Sequence, residues 1–578
     1  MKELTTQARD KIQSLLNAMT LRELIGQTAI WHIGRVPFAP DDPAAVAEFL
    51  AKHPVGSIFV ADMKKPEDKT MARHIADCVS CFQKAAKIPL LVSGDLERGG
   101  SSVAKELTRF PDMMAIGAAN DLDLDYRFGK YTALDGNAMG INWTFSPVVD
   151  MSKNWLNPIV SNRSLGDDPT RVAEAGAAII AGLQEHGMAA CAKHFPGDGV
   201  DFHDQHICTS INSLPEEEWF ATYGAVYKKV IDCDVASIMI GHIALPFMDA
   251  SENGRGNPAP ATVSKPIITE LLRNRLGYKG LIISDAVDMG GFMGWAPYDE
   301  RTLDCLRSGM DAILWPGDNY FEMVEAAVSD GRLSKEILVK AATHVLELKA
   351  RMGLLDGTAS LIGAPLTEAE REDAVRIAKS IAEKSVTLVR NRDGLIPLDP
   401  QKTKRILVCN MPQITKDRFF PIDRLIDGLK ARGIEVGTIE RTDPVSVKNS
   451  KETIGTGWDA LLMPFIAPTH GLINTVRPMG DAARSAWSIQ MLDELKPIFI
   501  SFSTPYLLCD FPYTQTLINC YSSNPYSDEA VIKALFGELQ FNETPPVASF
   551  NPGCLGEQLG TSYPSTSPIG KTEIGVKL

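Results

Sequence analysis

Residues 193–206 hold the side chains best suited to acid–base chemistry in this chain. Lys193 and His194 follow a short apolar segment, residues 187–192, and are themselves followed by a loop rich in glycine and aspartate. This loop carries two Asp-x-His triplets: Asp201 with His203, and Asp204 with His206. A carboxylate beside an imidazole raises the basicity of the imidazole and fixes its tautomer, which suits a general acid/base near neutral pH. The pattern therefore predicts a proton-transfer site on this loop.

Asp285 is the strongest candidate for a nucleophile. It directly follows the apolar run at residues 281–284, so a stiff strand would hold its carboxylate, and Ala286 after it leaves room for a substrate. Hydrolysis of a glycoside needs such a carboxylate to attack the anomeric carbon, and a proton donor for the leaving oxygen. Asp288 is expected to face away or to cap the next helix, and a helix cap is also the alternative interpretation of Asp285 itself.

His206, with Asp204 as its partner, is the predicted proton donor, although His203 and Asp201 have the same spacing and compete for the role. A further group of side chains is predicted to line the pocket: Asp95, Arg163, Lys193, His194 and His242. One carboxylate among several cationic or imidazole donors suits a ring of hydroxyl groups, because each hydroxyl can both donate and accept a hydrogen bond. For Lys193, a structural salt bridge with a neighbouring aspartate is the alternative.

Residues 20–355 alternate helix-like patterns with short apolar runs that end in a charged or ionisable residue. The residues that end these runs are Asp62, Asp95, Asp150, Lys193, His242, Asp285 and Asp318. Such a series predicts parallel strands whose carboxyl ends converge on one face, as in a (β/α)8-type barrel, an α/β fold whose site is built from the loops after the strands. A doubly wound sheet also places its ligand at strand ends, but no Gly-x-Gly-x-x-Gly opens a helix after the first strand.

The pattern changes near residue 355, where a helix ends at a glycine and a linker begins. We expect a TIM-barrel catalytic domain over residues 1–355, a linker and connecting helix over 356–385, and a smaller α/β sandwich domain over 386–578. Further apolar runs, mostly separated by helical patterns, indicate this second domain. Its last stretch, residues 545–578, is rich in Gly, Pro, Ser and Thr and is expected to be an extended tail.

Composition narrows the class of protein. With 44% hydrophobic and 22% charged residues, the 578-residue chain is typical of a soluble globular protein. Its formal net charge of −14 and its lack of a basic block argue against binding to nucleic acid or to a membrane surface. No apolar stretch could span a bilayer, the N-terminus has no signal-like segment, and the cysteines are scattered, so a cytoplasmic location is expected. Cys78 and Cys81 have no second pair nearby, and neither a metal nor another cofactor is expected.

The chain resembles glycoside hydrolase family 3 enzymes of the β-N-acetylglucosaminidase branch. The matching motifs run in order along nearly the whole chain, at residues 19–27, 94–95, 145–150, 157–158, 162–169, 193–197, 260–264, 284–285 and 391–398. The resemblance implies that Asp285 forms a covalent glycosyl-enzyme, and that His206 is the acid/base with Asp204 as its dyad partner. It also implies a set of residues that hold the non-reducing sugar: Asp95, Arg163, Lys193 and His194.

Two residues depart from the family pattern. The motif Lys-His-Phe-Pro-Gly-His-Gly has Asp198 at its sixth position here, and the middle of the dyad triplet, usually Ser or Thr, is Gln205. Both changes leave the nucleophile and the dyad in place. They therefore bear on the identity of the sugar more than on the reaction.

The expected function is that of a retaining exo-β-N-acetylglucosaminidase, acting on chito-oligosaccharides or cell-wall fragments by double displacement. The alternatives are a β-glucosidase, a phosphorylase in which phosphate replaces water, and a catalytically silent sugar-binding protein. The expected partner is a small carbohydrate substrate, with no nucleic acid and no membrane. A homodimer is left open.

Overall fold

A computed structural model describes most of the chain. The described residues are 3–409, 411–412, 422–439, 457–467, 469, 471–489 and 495–548. The chain divides into two compact units, each built from three segments. The first unit comprises Met1–Phe110, Leu122–Met151 and Val172–Val375, and the second comprises Pro111–Asp121, Ser152–Arg171 and Arg376–Leu578. The domain boundaries indicated by the sequence patterns stay a prediction.

Eight parallel strands form a barrel in the first unit. The strands of this unit are β1 (Ala29–His32), β2 (Ser57–Phe59), β3 (Leu91–Gly94), β4 (Trp143–Thr144), β5 (Ala189–Phe195), β6 (Ser210–Ile211), β7 (Ser237–Ile240), β8 (Ile243–Ala244), β9 (Leu281–Ser284) and β10 (Ile313–Leu314). Pairing runs from β10 through β1, β2, β3, β4, β5 and β7 to β9, while β6 and β8 form a separate pair. A parallel bridge between Ile283 and Ala312 joins β9 to the residue before β10 and closes the ring. The predicted (β/α)8-type barrel is confirmed.

Helices alternate with the strands, and several of them begin at a residue whose side chain caps the helix. The α-helices of the described chain are α1 (Thr6–Ala18), α2 (Leu21–Gln27), α3 (Pro43–Lys52), α4 (Met71–Ala85), α5 (Met113–Ala119), α6 (Leu122–Ala138), α7 (Pro169–Glu185), α8 (Glu216–Trp219), α9 (Ala225–Asp232), α10 (Gly290–Met293), α11 (Tyr298–Arg307), α12 (Tyr320–Ser329), α13 (Lys335–Arg351), α14 (Glu368–Ser385), α15 (Asp423–Ala431), α16 (Gly480–Ile489), α17 (Leu507–Asp510) and α18 (Pro525–Leu535). A π-helix, Pro266–Arg275, lies between β8 and β9. Thr20 and Glu23 form a reciprocal capping box at the start of α2, which satisfies N–H groups that have no partner within the helix.

Aromatic side chains fill the interior of the barrel. Phe59 and Phe145 stack with ring centroids 5.6 Å apart, and Trp143 meets Phe145 edge-on at 5.0 Å. The Trp143 Nε1–H donates to Ser237 Oγ at 2.8 Å, so the polar atom of this buried ring is paired inside the core. The packed interior fixes the strand ends, and with them the residues that follow each strand.

The second unit contains a mixed sheet with a hydrophobic core on each face. Its strands are β11 (Thr387–Asn391), β12 (Arg405–Cys409), β13 (Met411–Pro412), β14 (Glu435–Ile439), β15 (Ala460–Ile466), β16 (Pro497–Ser501) and β17 (Thr516–Asn519). They lie in the order β11, β17, β16, β15, β12, β14, with β13 beside β15. The β11–β17 pair is antiparallel and the other pairs are parallel. One core includes residues of α15 and α18, and the other includes residues of α16, which confirms the predicted α/β sandwich.

The sequence analysis also considered a C-terminal tail, the pair Cys78 and Cys81, and membrane-spanning segments. The expected tail over residues 545–578 falls outside the described residues from 549 onward. Cys78 and Cys81 lie on α4, and burial raises the pKa of the Cys78 thiol to about 12, so this thiol keeps its proton at neutral pH. None of the helices in the described ranges is long and apolar enough to cross a membrane.

The barrel buries a lysine near the end where its strands begin. Lys349, on α13, has no exposed surface, and its Nζ donates to Gln27 Oε1 at 2.9 Å, two residues before β1. Burial disfavours the ammonium ion and lowers the pKa of Lys349 to about 7.

We expect the free energy of unfolding of the wild type to rise, relative to that of a Lys349→Met variant, as the pH increases from 7 to 9.5. The unfolded chain keeps the lysine proton up to the ordinary pKa of 10.5, whereas the folded chain releases it near 7. The cost of burying the charge is therefore present in full below pH 7 and disappears as the pH rises through about 10.5. Between pH 7 and 9.5, the free energy of unfolding of the wild type should rise by about 3 kcal/mol relative to the variant. Thermal unfolding of both proteins across the range measures the difference, and parallel pH profiles would contradict the expectation.

Candidate active site

Five of the ionisable residues predicted for the site lie at one end of the barrel. Asp95 follows β3, Lys193 and His194 lie near the end of β5, and Asp285 directly follows β9. His242 follows β7 with one residue between them. Because the barrel strands are parallel, all of these positions lie at the carboxyl-terminal face, where enzymes with this fold bind their substrates.

Asp285 is a buried carboxylate held at the end of β9. Its N–H donates to the carbonyl of Ile240 at 2.9 Å, and its Oδ1 accepts the N–H of Ala286 at 2.7 Å. Burial alone would raise the pKa of this carboxyl, but nearby imidazoles and the Ala286 N–H outweigh burial and hold the pKa below its ordinary value. These imidazoles belong to His194, His242 and His206. The carboxylate is therefore ionised at neutral pH, as a nucleophile must be.

Asp150 fixes the imidazole of His194 beside Asp285. Asp150 Oδ2 lies 2.6 Å from His194 Nδ1, and the His194 N–H donates to Asp150 Oδ1 at 3.1 Å. The other ring nitrogen, Nε2, lies 3.9 Å from Asp285 Oδ2. In the sequence, Asp150 ends an apolar run and the matching motif at residues 145–150, but it has no predicted role. The pairing of β4 with β5 brings it to His194, and no local pattern predicts that contact.

Lys193 is buried between two carboxylates. Its Nζ lies 2.6 Å from Asp95 Oδ1 and 2.9 Å from Glu97 Oε1. The Lys193 side chain is 4% exposed, whereas that of Asp95 is 48% exposed and can reach a ligand. The sequence analysis missed Glu97, whose only signal is its position two residues after Asp95. The salt bridge considered as the alternative for Lys193 is present.

We expect Lys193→Ala to lower kcat/KM on a glycoside by about 10- to 100-fold. The change would leave a sugar hydroxyl without its donor, at a cost of about 1–3 kcal/mol, and would release Asp95 from its position. Steady-state kinetics on p-nitrophenyl glycosides measures the loss. If kcat/KM is unchanged while the melting temperature falls, Lys193 only braces the barrel.

Two aspartate–histidine pairs form on the loop after β5. His206 Nδ1 lies 2.7 Å from Asp204 Oδ1, and His203 Nδ1 lies 2.8 Å from both carboxylate oxygens of Asp201. The His206 side chain is 33% exposed and that of His203 is 43% exposed, so exposure does not separate them. His206 is among the groups that lower the pKa of Asp285, and its carbonyl accepts the N–H of Gly290, five residues after Asp285, at 2.8 Å. This favours His206 as the acid/base.

His242 is bonded to the protein through both ring nitrogens. Its Nε2 lies 2.9 Å from the carbonyl oxygen of Ala286, and its Nδ1 lies 3.1 Å from Thr262 Oγ1. Burial lowers the pKa of this imidazole, so His242 is neutral near pH 7. These contacts support the chain next to Asp285, and the expected contact of His242 with substrate stays a prediction.

Arg163 belongs to the second unit, in the 3-10 turn Ser161–Arg163. Its Nη1 donates to the carbonyl of Ile159 at 2.9 Å, which ties the side chain to its own turn. The sugar-binding role that the resemblance implies for Arg163 stays a prediction.

Comparisons with known proteins identify the family of this chain. The family model described as the glycosyl hydrolase family 3 N terminal domain matches residues 10–348. A beta-N-acetylglucosaminidase/beta-glucosidase of Cellulomonas fimi is 33% identical over 503 residues, which are 83% of this chain and 87% of that protein. The beta-glucoside phosphorylase BglX superposes with a TM-score of 0.84 at 28% identity, over 95% of this chain and 98% of its own. The family 3 beta-N-acetylglucosaminidase from Paenibacillus sp. str. FPU-7 superposes with a TM-score of 0.79 at 25% identity, over 92% and 99%.

The chain belongs to glycosyl hydrolase family 3. It is a glycoside hydrolase, whose barrel carries a buried, ionised aspartate at the end of β9 and an aspartate–histidine dyad on the loop after β5.

Proposed function

We propose that this enzyme is a retaining exo-β-N-acetylglucosaminidase that removes terminal β-linked GlcNAc from chito-oligosaccharides or cell-wall fragments. The observation that carries the proposal is the Asp204–His206 dyad, with 2.7 Å between Asp204 Oδ1 and His206 Nδ1, whose backbone is bonded to Gly290 in the loop that follows Asp285. The names of the relatives from Cellulomonas fimi and Paenibacillus sp. support GlcNAc as the sugar.

The reaction proceeds in two displacements. In the first, an Asp285 oxygen attacks the anomeric carbon, the bond to the leaving oxygen breaks with its electron pair, and His206 gives the Nε2 proton to that oxygen. In the second, neutral His206 takes a proton from water, the water oxygen attacks the same carbon, and the ester bond to Asp285 breaks. Each displacement inverts the anomeric carbon, so the product keeps the β configuration.

A histidine suits the acid/base role beside a carboxylate nucleophile. The imidazole alternates between +1 and 0, so neither displacement places a second negative charge next to Asp285. Asp204 stays bonded to Nδ1 and leaves Nε2 as the atom that exchanges the proton.

The proposed sugar-binding residues offer complementary hydrogen-bonding groups. Asp95 is a half-exposed acceptor, Lys193 is a donor, and His194 Nε2 is a further polar atom at the end of β5. Arg163 is proposed as a further donor on the strength of the resemblance.

Initial rates on p-nitrophenyl β-glycosides of GlcNAc, Glc, GalNAc and Xyl test the proposal, with the anomer first formed read by NMR. We expect the highest kcat/KM with GlcNAc and a β product. If kcat/KM is highest with Glc, glucose replaces GlcNAc as the sugar of the proposal. An α product would reject the double displacement, and no turnover of any substrate would reject the function.

Phosphorolysis is a second candidate, favoured by the similarity to the beta-glucoside phosphorylase BglX. Phosphate would then attack the glycosyl-enzyme in place of water and release a sugar 1-phosphate. An imidazole does not repel the incoming anion as a second carboxylate would. Product analysis with and without inorganic phosphate separates the two reactions, because only phosphorolysis yields a sugar 1-phosphate.

A further inference from the structure

The two residues that depart from the family pattern are bonded to each other. Gln205 Nε2 donates to Asp198 Oδ2 at 3.3 Å, and each residue is 1% exposed. Gln205 lies between Asp204 and His206 in the chain, whereas Asp198 lies at the root of the same loop. The bond therefore joins the dyad triplet to the loop's starting point.

Gln205 also links the dyad to the ends of other barrel strands. Its side-chain Oε1 accepts the N–H of His242 at 2.9 Å, and its carbonyl accepts the N–H of Gly291 at 3.0 Å. The carbonyl of His206 accepts the N–H of Gly290 at 2.8 Å. Since an N–H bonds Oε1 and a carboxylate bonds Nε2, the orientation of the Gln205 amide is set by its partners.

Asp198 connects the same loop to the carboxylate that holds His194. Its N–H donates to Asp150 Oδ1 at 2.8 Å, and its Oδ1 accepts the N–H of Gly199 at 2.6 Å. Its carbonyl accepts the hydroxyl of Tyr223 at 2.7 Å. A continuous set of hydrogen bonds thus runs from His194 through Asp150 and Asp198 to Gln205.

We propose that Asp198 and Gln205 are positioning residues that hold the acid/base loop, and with it His206 Nε2, in a fixed place relative to Asp285. This inference rests on the proposed glycosidase function. Gly197 and Gly199 have φ values of 114° and 100°, a backbone region that glycine enters freely, so the loop needs bonds elsewhere to define one position. A loop held before substrate arrives loses less conformational entropy in the transition state than one that must be ordered there.

The test compares the wild type with Gln205→Glu, Asp198→Asn and the double variant Asp198→Asn/Gln205→Glu. Gln205→Glu alone sets two buried carboxylates against each other and breaks the bond. In the double variant the introduced amide donates to the introduced carboxylate, while the remaining oxygens still accept from Gly199 and from His242. The double variant therefore restores the bond between residues 198 and 205, with donor and acceptor exchanged, and keeps the bonds from Gly199 and His242.

The readout is kcat/KM on a β-linked disaccharide divided by kcat/KM on the matching p-nitrophenyl glycoside. Both values report the first displacement, and only the poor leaving group depends strongly on the His206 proton. We expect Gln205→Glu to lower the ratio by about tenfold or more, and the double variant to return it to within about threefold of the wild type. Gln205→Ser removes the amide without adding charge and should lower the ratio as well. If the double variant does not fold, Gln205→Ser takes its place in the test.

Gln83→Glu is the matched control. Gln83 is also buried, and it bridges the N–H and carbonyl of Leu90 at 3.0 and 3.1 Å, before β3 rather than after a strand. Its replacement should lower the melting temperature without changing the ratio. An equal loss on both substrates for folded Gln205 variants, or an unrestored ratio in a folded double variant, would overturn the inference. No turnover by the wild type would instead reject the proposed function, and this inference with it.

Discussion

Asp285→Ala is expected to lower kcat by about four orders of magnitude or more, because the covalent route through the glycosyl-enzyme is lost. The buried carboxylate is the group that would form the ester, and the variant keeps the donors proposed to hold the sugar. The dissociation constant of free GlcNAc should therefore be nearly unchanged. Pre-steady-state and steady-state rates on the p-nitrophenyl glycoside measure the loss, and equilibrium binding of GlcNAc measures what remains.

Azide rescue separates a lost nucleophile from a damaged fold. A small anion can enter the space left by Asp285 and attack the β-glycoside once, so the product should be an α-glycosyl azide. Asp288→Ala is the matched control, since Asp288 is half-exposed and pairs with Arg35 at 2.8 Å. Its kcat should stay close to that of the wild type. In the wild-type enzyme, trapping with a fluorosugar should label a peptide containing Asp285. A label on Asp95 or Asp288 would overturn the assignment.

His206→Ala should reduce kcat/KM by about 100-fold or more on a natural disaccharide and far less on the p-nitrophenyl glycoside. The disaccharide oxygen leaves as an alkoxide and needs a proton, whereas the phenolate leaves almost unaided. Measuring kcat/KM on both substrates gives the effect on the first displacement alone. Added azide should speed the second displacement and yield a β-glycosyl azide, the configuration opposite to that from Asp285→Ala.

His203→Ala is the matched control for the dyad, because His203 has the same spacing to Asp201 that His206 has to Asp204. It should keep the leaving-group dependence of the wild type. Asp204→Ala should act in the same direction as His206→Ala but more weakly, since Asp204 only orients and tunes the imidazole. If the leaving-group signature follows His203 and is absent at His206, the dyad has been assigned to the wrong pair.

The barrel could be predicted because its signal is local. Each apolar run is a strand whose composition reflects burial on both faces, and the ionisable residue after it marks the change to the open face. Asp95 after β3 and Asp285 after β9 are placed by this rule. The interleaving of Pro111–Asp121 and Ser152–Arg171 with the second unit has no such signal, because it depends on contacts between distant parts of the chain.

Partners of the site residues were less predictable than their positions. The contact of Asp150 with His194 is set by the register of β4 beside β5, and that of Glu97 with Lys193 by the path of the chain after β3. The Asp-x-His spacing did predict that each histidine of the loop meets its aspartate, because a two-residue separation keeps them adjacent. It could not distinguish the two pairs, since their distances to Asp285 depend on how the whole loop folds.

The placement of Lys349 has a consequence for directed evolution of this enzyme. Gln27 and Lys349 lie where the barrel strands begin, whereas Asp285 and the dyad loop lie where they end. A library aimed at thermostability can therefore be confined to the first end, where replacing a poorly tolerated lysine touches no reacting group. A library aimed at a new sugar would instead vary the loops after the strands. The two libraries can be screened separately and their best substitutions combined, because substitutions at opposite ends of the barrel share no partners and their free-energy effects add.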